Sequence, residues 1–372
     1  MKTKRSFPHA ALLVCCFIII CSARWSYGQH PDQPYWPTQS WRTGHPADHG
    51  LNERSLRQLV RKIEKGGKNR GIHSLLIVKD GYLVMEEYFH GSDEDIHTLQ
   101  SVTKSITSTL VGAAIHHGFI QSLDQKVLSF FPEYDDIKHL DENKAAITLR
   151  HALTMQTGMA WYGESHLRPL NRYHGDRMKY VLDYKMDRSP GEKWYYNSGI
   201  AILLGGLLEN AANMNTADFA YQYLFEPLGI YAREWYSYRN IPHTGGGLDL
   251  KPRDMARIGY LYLRDGIWEN KRIVPENWVT EATRRHVPRA RKLKGLPPFG
   301  YGYMWWLAPL DKNDTDTSKP AEIYMAWGYM GQFIFVIPKY DMVVVFTGGS
   351  TFPVGEFQPI HLLYDEILPS ID

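Results

Sequence analysis

Ser101-Val102-Thr103-Lys104 opens a run, Ile106 to Ile115, that is apolar or small on nearly every face. A serine hydroxyl is a poor nucleophile until a neighbouring group removes its proton, and a lysine three residues on sits one helical turn away. A serine in the first turn also lies in the positive field of the helix N-terminus, which favours developing negative charge. A helix apolar all round is a buried helix, where an ammonium is costly to hold. Ser-x-x-Lys alone is a weak motif, because chance supplies about one in a chain of this size. Its weight comes from what surrounds it.

Two further stretches have the same character. Pro190-Gly191 makes a turn, aromatic residues follow, and Tyr196-Asn197-Ser198 precedes a helix that opens at Gly199. A phenol beside a cationic lysine can exchange protons with it, although among 24 tyrosines most serve packing. Trp327-Gly328-Tyr329-Met330-Gly331-Gln332 stands just before a strand-like run. Glycines such as Gly331 let a backbone approach a ligand, and the next N–H can face an oxyanion.

The pattern around these stretches places sheet at the two ends of the chain and helix in the middle. Asn52 is positioned to cap a helix over Glu53 to Lys65. Runs 74–78 and 82–89 read as strands around a Lys79-Asp80-Gly81 turn. Runs 333–337 and 342–347 flank a second turn, Pro338 to Asp341. Helical segments are expected at 123–130, 149–155, 178–184, 199–212, 217–224, 255–264, 276–283 and 360–367. The helix after Ser101 is expected to end at Gly118. Arg284 to Lys294, with six basic residues and no acid, reads as a solvated loop, and Trp305 and Trp306 as core or cleft wall.

Taken together, these stretches resemble the serine β-lactamase and penicillin-recognising hydrolases, specifically the class C-like branch with its esterases and 6-aminohexanoate-oligomer hydrolases. The resemblance runs from about residue 50 to 370 and rests on Ser101-x-x-Lys104, Tyr196-x-Ser198 and Tyr329-Met330-Gly331-Gln332. Lesser echoes are Leu149–Gly158, Gly245-Gly246-Gly247-Leu248, Pro252–Ala256 and Tyr301–Trp306. It implies an α/β fold with inserted helices: an antiparallel sheet flanked by helices, plus an all-helical domain. The expected division is 29–98 with 240–372 as the sheet domain and 99–239 as the helical one, with the site between them.

Carried over residue by residue, the resemblance implies that Ser101 is acylated and that Lys104 and Tyr196 form the proton-transfer pair. Ser198, Tyr329 and Gly331 would contact substrate, and the N–H groups of Ser101 and Gln332 would form the oxyanion hole. It implies a small ester or amide substrate and no cofactor or metal. The chain departs from the family in two places. Ser198 stands where class C enzymes have asparagine, and Tyr329 where β-lactamases and peptidases carry the lysine that helps bind a substrate carboxylate. A charge-assisted contact contributes roughly 1.5–3 kcal/mol. Its loss favours substrates lacking a carboxylate at that spot, unless an arginine from elsewhere supplies the charge. A β-lactamase, a D,D-peptidase or D-aminopeptidase, and a non-catalytic module binding an envelope ligand are the alternatives on this fold.

Composition and the N-terminus narrow the setting. The chain has 372 residues, 44% hydrophobic, with a net charge of +2, so it offers no broad basic field for nucleic acid. Lys2, Lys4 and Arg5 precede an apolar stretch from Ala10 to Ala23, too short to span a bilayer and suited to a secretory signal. Cleavage is expected before Gln29, which leaves 38 basic against 40 acidic residues and no stable membrane span. The three cysteines, Cys15, Cys16 and Cys21, lie in that segment, so a mature exported chain has no thiol and no disulfide. Periplasmic or extracellular residence is expected. There is no His-Glu-x-x-His, no Gly-x-Ser-x-Gly and no phosphate-binding loop.

Overall fold

The computed structural model describes residues 35–351 and 353–372; the expected signal segment and all three cysteines lie outside them. Asn52 caps the helix Glu53–Glu64 by accepting from the Ser55 N–H, and Leu56, Leu59 and Ile63 form its buried face. The strands Ile72–Lys79 and Tyr82–Tyr88 are joined at Asp80-Gly81, both left-handed, at φ 53° and 78°. Two such residues give the turn whose twist matches a two-residue hairpin.

These strands join one eight-stranded antiparallel sheet. Its order runs Val287–Arg291, Phe299–Tyr301, Trp306–Ala308, Ile323–Gly328, Gln332–Ile337, Met342–Gly348, Ile72–Lys79 and Tyr82–Tyr88. The join between chain ends is Ile72–Lys79 against Met342–Gly348, with Leu76 opposite Val345. Met342–Gly348 is buried at every position. A strand covered on both faces carries a continuous apolar run instead of an alternation. One of its faces takes the helix Pro252–Leu263: a Cβ on Gly259 would stand 2.5 Å from Val343 Cγ1, so that helix approaches as closely as glycine allows.

The helix Val102–His116 is buried from Val102 to Ala114. Several of its hydroxyls bond locally or to neighbours: Thr107 Oγ1 donates to the Thr103 and Thr244 carbonyls, and Ser105 Oγ to the Met304 carbonyl at 2.6 Å. Thr109 Oγ1 meets the Tyr262 hydroxyl at 3.0 Å, tying it to Pro252–Leu263. Among the described residues no helix is long and apolar enough to cross a membrane.

Several local expectations are corrected. Arg284 to Lys294 is not a loop throughout: Val287–Arg291 is the edge strand of the main sheet. Exposed basic side chains are what protect such an edge from pairing with another chain, so the charge that masks the strand also suits it. The expected helix at 123–130 is only a short turn, Val127–Phe130. The helix Glu164–Arg172 went unforeseen because Pro169 lies inside it. Trp305 is wholly buried.

Candidate active site

Ser101 begins its helix from an unusual approach. Gln100 is left-handed, at φ 48°, a conformation that costs a non-glycine residue about 1 kcal/mol or more. Ser101 occupies the cap position, yet its hydroxyl makes no capping bond. It is engaged by Lys104, whose Nζ lies 2.7 Å from Ser101 Oγ. Lys104 is 1% exposed. Its amine also bonds the Gly245 carbonyl and stands 5.0 Å from the centre of the Tyr196 ring.

Tyr196 is delivered by the second stretch. Asn197 Oδ1 accepts from the Ile200 N–H at 3.0 Å and so caps the helix Ser198–Ala212. That cap fixes Tyr196 one residue before the cap and Ser198 in the first turn. Of the two adjacent tyrosines, Tyr195 donates to Asp187 at 2.7 Å, whereas Tyr196 packs beside Lys104 and Trp306. A Cβ on Gly199 would meet Trp161 at 2.6 Å, so only glycine lets that indole lie against the helix start.

The loop His243–Gly247 locks the two helices together. Thr244 Oγ1 donates to the Ala201 carbonyl at 2.6 Å, and the Thr244 carbonyl accepts from Thr107. A Cβ on Gly245 would come within 3.1 Å of the Ser198 carbonyl. His243 is the residue of this loop that sequence reasoning missed. Its Nε2 meets Asn171 Oδ1 at 3.2 Å, and its Nδ1 is buried without a partner. Burial, and secondarily the charge of Lys104, lower its pKa to about 4, so the imidazole is neutral near pH 7.

All of this opens on a cavity of about 1330 Å³ lined by Ser101, Lys104, Tyr196, Ser198, Tyr329 and His243. Asp249 and Glu234 line one wall as opposed residues of a small sheet. Burial, and then Glu234, raise the Asp249 pKa. Trp306, Trp327 and Arg291 also line it, the Trp306 and Trp327 ring centres 5.0 Å apart and the Arg291 guanidinium over Trp327. These charged and aromatic wall residues come from strands far apart in the chain, and no local spacing marks them.

The third stretch divides. Tyr329 is 47% exposed and lines the cavity. Gly328, paired with Gln332 across the hairpin, presses against the backbone that precedes Ser101. Gln332 is not part of the lining. It is wholly buried, and its amide side chain bonds both the N–H and the carbonyl of Gly348. Gly331, left-handed at φ 95°, forms the hairpin turn and also lies outside the lining. Among the described residues no cluster of histidine, cysteine and carboxylate side chains is arranged to hold a metal.

Comparisons with known proteins agree with this architecture. The chain is 24% identical over 295 residues to 6-aminohexanoate-dimer hydrolase of Paenarthrobacter ureafaciens, covering 72% of this chain and 70% of the relative. Among solved structures, EstCE1, a hydrolase with promiscuous acyltransferase activity, superposes with a TM-score of 0.67 at 16% identity, over 83% of this chain and 99% of its own. A penicillin-binding protein from Bacillus halodurans gives a TM-score of 0.61 at 17% identity, over 83% of this chain and 98% of its own. The family model described as Beta-lactamase matches residues 56–361, and the chain belongs to that family of hydrolases.

Proposed function

We propose that the protein is an exported serine hydrolase that cleaves an ester or amide through an acyl-enzyme. The observation that carries the reading is the contact between Lys104 Nζ and Ser101 Oγ, 2.7 Å, inside a cavity large enough for a substrate. Ser101 Oγ attacks the carbonyl carbon, and its proton passes to the Lys104–Tyr196 pair. The pair returns a proton to the leaving group, and water then releases the acyl group by the reverse path. The Gly245 carbonyl occupies one direction of the lysine amine and so helps aim another at the serine.

The oxyanion is proposed to lie between the N–H groups of Ser101 and Tyr329. Tyr329 is preferred to Gln332 for the second donor because it lines the cavity, whereas Gln332 is wholly buried outside the lining. Ser198, the first residue of the helix Ser198–Ala212 and 6% exposed, lines the cavity as a contact for the substrate. Residues 1–28 are proposed to direct export. Labelling by a fluorophosphonate tests the reading: wild type should be modified at Ser101 and Ser101→Ala should not. Equal labelling of the two would defeat it.

A further inference from the structure

We infer that Arg291 is an anion-recognition residue of the cavity, and that the substrate is an ester or amide bearing a carboxylate. This rests on the reading of the cavity as a hydrolytic site. Two arginines line the cavity, Arg168 and Arg291. Arg291 is held in place: its guanidinium carbon lies 4.8 Å from the Trp327 ring centre and 5.5 Å from that of Phe357. Among the described residues no such ring contact holds Arg168.

Stacking on aromatic faces fixes the plane of a guanidinium while leaving its edge N–H groups to donate. Among the described residues Arg291 makes no ion pair within 4.0 Å, although Glu356 lines the same wall. Burial raises the Glu356 pKa and outweighs the Arg291 charge, which is near enough to act on it. A fixed fork with no such ion pair matches the two oxygens of a carboxylate. Trp327 precedes Gly328 and Tyr329, so the platform under the guanidinium continues into the proposed oxyanion wall. The charge that Tyr329 lacks is therefore offered by the edge strand Val287–Arg291.

Paired substrates test this. p-Nitrophenyl hemisuccinate is compared with p-nitrophenyl acetate for a carboxylate on the acyl side. 4-Acetoxybenzoate is compared with phenyl acetate for one on the leaving side. In at least one pair the anionic substrate should have the higher kcat/KM. In Arg291→Gln that ratio should fall on the order of 10- to 100-fold, with partial recovery in Arg291→Lys. A wild-type enzyme without preference in either pair, or a ratio unmoved by Arg291→Gln, would overturn the inference.

A binding arm separates this from the hydrolytic reading. Succinate monoanilide is titrated into Ser101→Ala while tryptophan fluorescence is followed. Saturable quenching that weakens by the same factor on adding Arg291→Gln supports anion recognition even where no ester is turned over. Quenching indifferent to Arg291 counts against it. Loss of Ser101 labelling with this binding intact would sink only the hydrolytic reading.

Discussion

A Cβ placed on Gly328 would stand 2.3 Å from the carbonyl oxygen of Leu99 and 3.2 Å from Gln100 Cβ. The hairpin of the main sheet and the backbone that leads into Ser101 are thus in contact at a point where any side chain is excluded. Gly328→Ala must push the two apart. Overpacking of this kind costs roughly 1–3 kcal/mol, and a small displacement between nucleophile and oxyanion wall can cost on the order of 100-fold in rate. The expected outcome is a lower thermal midpoint together with a fall in kcat for p-nitrophenyl acetate. A fall in neither would separate this contact from the site.

Ser101 and Lys104 should act as one unit. Each of Ser101→Ala and Lys104→Ala is expected to lower kcat for the same ester on the order of 1,000-fold or more. The double variant should be little worse than either alone, because each change disables the same proton-coupled attack. Single-turnover kinetics on the three variants would expose independent, multiplicative losses if the 2.7 Å contact had no catalytic meaning.

The two ends of the Tyr329–Gln332 turn should respond differently. Gln332→Ala leaves the N–H and carbonyl of Gly348 without their buried partner, at about 1–3 kcal/mol for each unsatisfied group. Its main effect is expected in the denaturant midpoint. Tyr329→Pro removes a backbone donor and should lower kcat by about 100-fold or more, whereas Tyr329→Ala keeps that donor and should lose far less. Equal rates for Tyr329→Pro and Tyr329→Ala would remove Tyr329 from the oxyanion hole.

His243 should make stability depend on pH. Well above pH 6.5 the imidazole is neutral in folded and unfolded chains alike, so it adds no slope. As pH falls from 6.5 toward 4 the unfolded chain takes up a proton that the buried imidazole refuses, and stability is lost. The loss amounts to about 3 kcal/mol across that window. Asp254 titrates near 6, raised by burial, and has the opposite slope. The informative quantity is therefore the difference between wild type and His243→Gln in urea midpoints across pH 4 to 7. A difference that stays constant over that range would contradict the assignment.

The hairpins were legible because turn chemistry is local: Asp80-Gly81 needs two left-handed residues, and the sequence supplies residues that accept that conformation. The helix after Ser101 was legible because an apolar run of that length has few alternatives. Val287–Arg291 was hidden because an exposed edge strand looks like a charged loop until its partner Phe299–Tyr301 is known. Within the third stretch, the sequence marked the Gly-rich turn but not which residue faces the cavity. That choice depends on the pairing of Gly328 with Gln332 and on the amide bonds from Gln332 to Gly348.

By itself the sequence determined the Ser101–Lys104 spacing, which one turn of helix converts into a contact, and the burial of that helix. Both follow from short-range geometry and hydrophobicity. It took long-range packing to place Tyr196 rather than Tyr195 by the lysine, to bring Tyr329 rather than Gln332 to the cavity, and to add Arg291 and His243 to its lining. Those choices depend on pairing and packing between segments up to a hundred or more residues apart, where a single residue's offset turns a side chain from the cavity to the core.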